Sequence, residues 1–89
     1  MQGEQKKQVL RRIKTALGHL KGIEKMVEED KYCVDILLQI SAVISSLHKL
    51  NDQVLENHLN SCVRAAIKRG DDQEVFRELM EVLKYRHRE

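Results

Sequence analysis

The chain has no proline and no tryptophan, and aromatic residues make up only 3% of its 89 positions. Glycine occurs four times and cysteine twice. With so few aromatics and turn formers, and so many Glu, Lys, Arg and Leu, an all-helical protein is expected rather than a sheet. No unbroken apolar run approaches the ~20 residues of a membrane span. No apolar segment follows a basic start, so no signal peptide is read. The expected location is therefore the cytoplasm, with no membrane partner. In that compartment a structural disulfide is rare, and two cysteines point to metal or redox chemistry. The formal net charge of +2 does not by itself compel a nucleic-acid partner; the distribution of charge matters more than its sum.

A chain this short is expected to form one domain, residues 1–89. It would bury only about 60–65% of its unfolded surface, so association is a natural remedy for marginal stability. Three helical segments can be read. The first runs from about Glu4 to Glu28, with Val9, Ile13, Ala16, Leu17, Leu20, Ile23, Met26 and Val27 at spacings of three and four. Gly18 and Gly22 share one face and suggest close helix packing. Asp30 is the expected N-cap of a second helix. From Lys31 that helix meets no breaker before Gly70. Its apolar stripe reads Cys33, Leu37, Ile40, Ile44, Leu47, Val54 and His58, flanked by Val34, Ile36, Val43, Leu50, Leu55 and Leu59. So wide a surface needs more than one neighbour. In "KRGDD", Lys68 and Arg69 suit the negative end of the helix and Gly70 a left-handed cap. Asp71 or Asp72 then caps a third helix to about Tyr85, with Val75, Phe76, Leu79, Met80 and Leu83 expected inward. The basic tail "KYRHRE" is expected to fray.

Both cysteines sit in short fragments that draw attention, "KYCV" at 31–34 and "HLNSC" at 58–62. His58 and Cys62, four apart on a helix, share a face and can reach one metal ion. Cys33 lies 25 residues before His58 and 29 before Cys62. At ~100° per residue these separations fall about 20° short of, and about 20° beyond, whole turns. Cys33 thus belongs to the same stripe, but a continuous helix puts it roughly 37 Å from His58. The three groups cannot converge within one straight helix, but they can between two copies, when two second helices run antiparallel and Cys33 of one faces His58 and Cys62 of the other. A twofold axis then makes two identical sites. Two thiolates and one imidazole favour soft ions, and three ligands suit Cu(I) better than four-coordinate structural zinc. The N-terminal stretch "MQGEQKKQ" holds no His or Cys that would add a fourth ligand. Tyr32 and Glu78 are candidates for orienting the bound imidazole, but spacing does not place Glu78 near His58, and a solvated glutamate on the third helix is the competing account. The competing account makes Cys33 and Cys62 small core residues. His19, His48 and His87 lack a thiol within one turn and read as exposed or interhelical polar residues.

The stretch "RRIKTALGHLKGIEKMVEEDKYCVDILLQISAV", followed by "HLNSC", resembles the copper-sensitive operon repressor (CsoR) family of bacterial metal-responsive regulators. The resemblance covers about residues 7–85. It implies antiparallel dimers paired into a disc-like tetramer, without a winged helix or helix-turn-helix. Cys33, His58 and Cys62 match the family's copper-sensing Cys–His–Cys pattern. Persulfide-sensing relatives lack the His, formaldehyde-sensing relatives lack the second Cys, and nickel or cobalt sensors add histidines. Tyr32 and Glu78 fall where copper sensors carry residues linked to the bound His. The resemblance further implies a repressor that holds operator DNA in the apo form and is released by Cu(I), switching on copper-resistance genes.

On the first helix Arg11, Lys14, Lys21 and Lys25 lie mostly off the apolar stripe and are placed to contact phosphates. The competing account is a solvated face, since Glu4, Glu24 and Glu28 are interspersed. By resemblance, Arg12 and Lys49 match basic positions implicated in DNA binding, although some members carry arginine where Lys49 stands. Two other functions stay open at this point. One is a family member sensing zinc, nickel, cobalt or a reactive sulfur species, and the other a helical adaptor whose thiols are core residues. No base–nucleophile–orienter set is apparent, so no enzyme is expected.

Overall fold

The computed structural model describes residues 1–86. Among them are helices and turns only: α1 (Gly3–Glu28), α2 (Cys33–His58), a π-helical turn (Leu59–Val63), α3 (Arg64–Lys68) and α4 (Asp72–Arg86). Because α2, the π turn and α3 follow without a break, the chain has the three helical segments expected. It divides into two compact units, Met1–Glu56 and Asn57–Glu89.

The first unit is an antiparallel hairpin of α1 and the bulk of α2. Its buried residues on α1 are Val9, Ala16 and Ile23, spaced by seven. On α2 Val43 is buried, and the partly buried Ile36 and Leu50 stand seven residues to either side. A seven-residue repeat on both helices is the seam of coiled-coil packing. Two side-chain hydrogen bonds cross it: His19 Nε2 to Gln39 Oε1 at 2.8 Å and Gln53 Nε2 to Gln8 Oε1 at 3.2 Å.

The turn between the helices departs from expectation. Asp30 does not N-cap α2; it adopts φ 54° and closes α1. The Asp30 amide donates to the Val27 carbonyl (3.1 Å) and the Lys31 amide to the Met26 carbonyl (2.9 Å), the paired bonds of a Schellman motif. Aspartate tolerates the left-handed region better than most residues, and no glycine is available here. The start of α2 falls instead to Tyr32, whose carbonyl accepts the amides of Asp35 (3.0 Å) and Ile36 (3.2 Å).

The long stripe of α2 is not covered within the chain. Leu37 is 60% exposed, Ile44 48% and Leu47 45%, because α1 occupies only the adjacent Ile36–Val43–Leu50 face. Leu17 and Leu20 on α1 are exposed as well. A side chain added at Gly18 or Gly22 would meet nothing within 4 Å, so the close packing expected at that pair does not occur inside the protomer. Apolar surface on this scale is rare on a soluble protein that stays monomeric. The segment Cys33–Lys68 also reaches a mean hydropathy of 1.4 over 18 residues, enough by length and composition to cross a membrane. The expectation of no span-like segment therefore fails on the average, though apolar residues never run more than three in a row there.

The second unit packs α4 against the π turn and α3 through Val63, Ala66 and Val75, with Leu79 partly buried beside them. Gly70 takes φ 85°, and the bonds Gly70 N–H to Ile67 O (3.0 Å) and Asp71 N–H to Ala66 O (2.9 Å) make the expected left-handed cap. The Asp71 carbonyl accepts the Val75 amide (3.3 Å), and its carboxylate pairs with Arg69 Nε at 3.2 Å. Of the five α4 residues expected inward, only Val75 and Leu79 are. Phe76, Met80 and Leu83 are 67%, 53% and 39% exposed. The short α3 covers a single i, i+4 strip of α4, leaving the rest of its apolar face outside. Lys84, Tyr85 and Arg86 of the tail are helical; His87, Arg88 and Glu89 lie outside the described residues.

Candidate functional site

Cys33 is the first residue of α2, and its thiol is exposed. Cys62 is also exposed and lies within the π turn, while the half-buried His58 closes α2. Neither thiol is a core residue of the protomer, contrary to the competing account. The π turn modifies the i, i+4 geometry. With i→i+5 bonding, four residues fall short of a full turn rather than just past it. Ser61 accompanies the distortion: its Oγ donates to the Asn57 carbonyl at 2.7 Å and lies 3.8 Å from Cys62 Sγ. Such back-bonding to the i−4 carbonyl bends helices. Nothing in the residue order of "HLNSC" announces this turn.

Among the described residues, no three His, Cys, Asp or Glu side chains of one chain are grouped to hold a metal ion. Within one protomer Cys33, His58 and Cys62 are therefore not gathered into a three-donor group. Glu78 makes no hydrogen bond to His58 among the described residues, and Tyr32 is 68% exposed with its carbonyl engaged in starting α2.

The basic candidates behave differently. Arg11, Arg12, Thr15, Ala16 and His19 of α1 and Ser46 and Lys49 of α2 line one depression of about 260 Å³. Gln8, Arg11, Arg12 and Gln53 line a neighbouring one of about 310 Å³. The hairpin thus assembles Arg11, Arg12 and Lys49 from two helices, but Lys14 lines neither depression. His19, read as a possible interhelical residue, is one. Its place beside the basic residues, and the parts of Gln8, Thr15, Ser46 and Gln53, were missed. An antiparallel pairing of the two helices would have been the signal for them.

Residues 5–85 match the family of metal-sensitive transcriptional repressors. The chain belongs to that family. Its members are transcriptional repressors rather than enzymes. The chain is 46% identical over 82 residues to the copper-sensing transcriptional repressor CsoR of Mycobacterium ulcerans (strain Agy99), covering 92% of this chain and 70% of that one. Its structure is similar to that of the copper-sensing repressor CsoR with Cu(I) from Geobacillus thermodenitrificans NG80-2. That match has a TM-score of 0.94 at 40% identity and covers 99% of this chain and 92% of the other. The nickel-responsive transcriptional regulator InrS is similar at a TM-score of 0.76 and 30% identity, covering 94% and 92%.

Proposed function

We propose that this repressor senses Cu(I): the apo form binds operator DNA, and the metal releases it and derepresses copper-resistance genes. The observation that carries the reading is the donor set. Two exposed thiols and one imidazole are soft ligands suited to a monovalent soft ion, in a chain whose fold matches a Cu(I)-holding sensor. Cys33 of one chain would complete the site with the partner's His58 and the partner's Cys62. Tyr32 and Glu78 are taken as the residues that orient the imidazole once the partner is in place.

The uncovered stripe of α2 supports the dimer this requires. A second copy laid antiparallel hides Leu37, Ile40, Ile44 and Leu47 and brings the thiols to the imidazoles in one step. Pairing of dimers into a disc-like tetramer would take up further apolar surface and repeat the basic hairpin surface four times. Such a cytoplasmic assembly leaves no role for a membrane. Residues 1–89 act as one functional domain in this reading, with Arg11, Arg12, Lys14 and Lys49 contacting phosphates. Metal and DNA oppose one another by linkage: if each prefers a different arrangement of the assembly, each weakens the other equally.

A nickel sensor is the second reading, favoured by the likeness to the nickel-responsive regulator. The stretch "MQGEQKKQ", with no histidine, weighs against it. A gel-shift assay on DNA upstream of the chain's own gene, with and without Cu(I) or Ni(II) under anaerobic conditions, separates the two. Retardation relieved by Cu(I) alone is expected; relief by Ni(II) alone, or no retardation, would sink the copper reading.

A further inference from the structure

The basic depression poses a register problem. Arg11 and Arg12 come from α1 and Lys49 from α2, so they form one cluster only while the two helices keep a fixed longitudinal alignment. None of the residues lining the two depressions is a carboxylate. The cations therefore repel one another across the hairpin until an anion arrives. The apolar seam resists sliding weakly, because Val9, Ala16 and Ile23 recur every seven residues and offer similar packing after a shift of two turns. Polar pairs at such seams are what specify register. Two side-chain hydrogen bonds across the hairpin, both at exposed positions, bracket the cluster. Gln53 Nε2 donates to Gln8 Oε1 at 3.2 Å on one side, and His19 Nε2 meets Gln39 Oε1 at 2.8 Å on the other. An amide oxygen only accepts, so the second bond requires a proton on Nε2 of His19.

We infer that the Gln8–Gln53 and His19–Gln39 pairs are latches that hold α1 and α2 in the one register where Arg11, Arg12 and Lys49 form a clasp for a DNA backbone phosphate, with Ser46 supplying a hydroxyl donor, while the Thr15 hydroxyl donates to the Arg11 carbonyl at 3.0 Å. The inference rests on the DNA-binding reading above. Gln39 lines neither depression, so it is a positioning residue and does not itself touch the phosphate. The latches also suggest how release could work, since any sliding of α1 along α2 separates the two halves of the clasp without removing a charge.

The test uses the full chain and fluorescence anisotropy with the same upstream duplex over a range of salt concentrations. Gln39→Ala is expected to weaken binding roughly three- to tenfold, the worth of one hydrogen bond, with Cu(I) affinity and helicity unchanged. Lys49→Ala is expected to lower the salt slope by about 0.9 for each phosphate that Lys49 neutralises. In the Lys49→Ala background Gln39→Ala should then have little further effect, because the clasp it aligns is already broken. A merely structural glutamine would instead weaken both backgrounds by the same factor, and that result, or normal binding by Gln39→Ala, overturns the latch. Should Gln39→Ala lose helicity, Gln39→Met removes the acceptor with a helix-favouring side chain of similar length and is held to the same outcomes. Failure of the parent chain to bind any duplex would remove the DNA reading and the clasp together, a result distinct from failure of the latch alone.

Discussion

The two groups of candidate functional side chains are built at different levels of organisation. The basic cluster closes within one chain, because α1 and α2 form a hairpin that brings Arg11 and Arg12 beside Lys49. The thiol–imidazole set does not close within one chain: no trio of donors gathers among the described residues, and both cysteines stay exposed. A phosphate surface can be assembled by neighbouring helices of a protomer. In the proposed reading, a soft-metal site split between the start of a long helix and its far end would be completed by a second copy. The metal would then act on the association, while the proposed phosphate surface is present in each subunit.

The comparison is easiest to break at Cys33. Cys33→Ala is expected to lower Cu(I) affinity by more than about a hundredfold, beyond the 10–100-fold typical of losing an orienting partner. Competition against a strong chelator measures it, and undiminished affinity would mean that His58 and Cys62 of one chain suffice. Next in size is the uncovered stripe. Leu37→Lys with Ile44→Lys would place charges in the proposed interface and should raise the dimer dissociation constant by at least about a hundredfold. Sedimentation reads the change, and Cu(I) binding should fall with it while the chain stays helical. If the double variant remains dimeric, another face carries the association.

A smaller effect is expected inside the hairpin. Val43 is 4% exposed, and Val43→Ala removes two buried carbons, costing about 2 kcal/mol in urea unfolding. DNA affinity should decline more than Cu(I) affinity if the hairpin organises the basic cluster. The smallest effect belongs to Arg77, which hydrogen-bonds Glu74 and holds that carboxyl below its usual range, the hydrogen bond contributing most. A lowered carboxylate stabilises the fold above its unfolded pKa and loses that support as pH falls. Both side chains are exposed, so Arg77→Ala should leave the thermal midpoint unchanged at neutral pH.

Much of this was legible in the residue pattern, for reasons particular elements make plain. Apolar spacing of three and four announced α1, and Gly70 announced the end of α3, because a residue without Cβ is the easy occupant of a left-handed cap. The role of Asp30 was misread: aspartate serves both as an N-cap and in left-handed turns, and only the bonds it makes distinguish them. Phe76, Met80 and Leu83 were expected inward because periodicity identifies an apolar face but not how much of it a neighbour covers. The π turn at Leu59–Val63 left no trace in composition.

By itself the sequence determined that the chain is helical, where its helices change, and that three soft donors lie along one stripe, since these follow from local propensity and angular period. Only the tertiary structure decided which apolar face is used inside the protomer and which is left open. It also decided that Lys49 meets Arg11 and Arg12, and that Cys62 sits on a widened turn. Those outcomes depend on the register of one helix against another and on backbone bonding, which no periodicity along a single helix encodes.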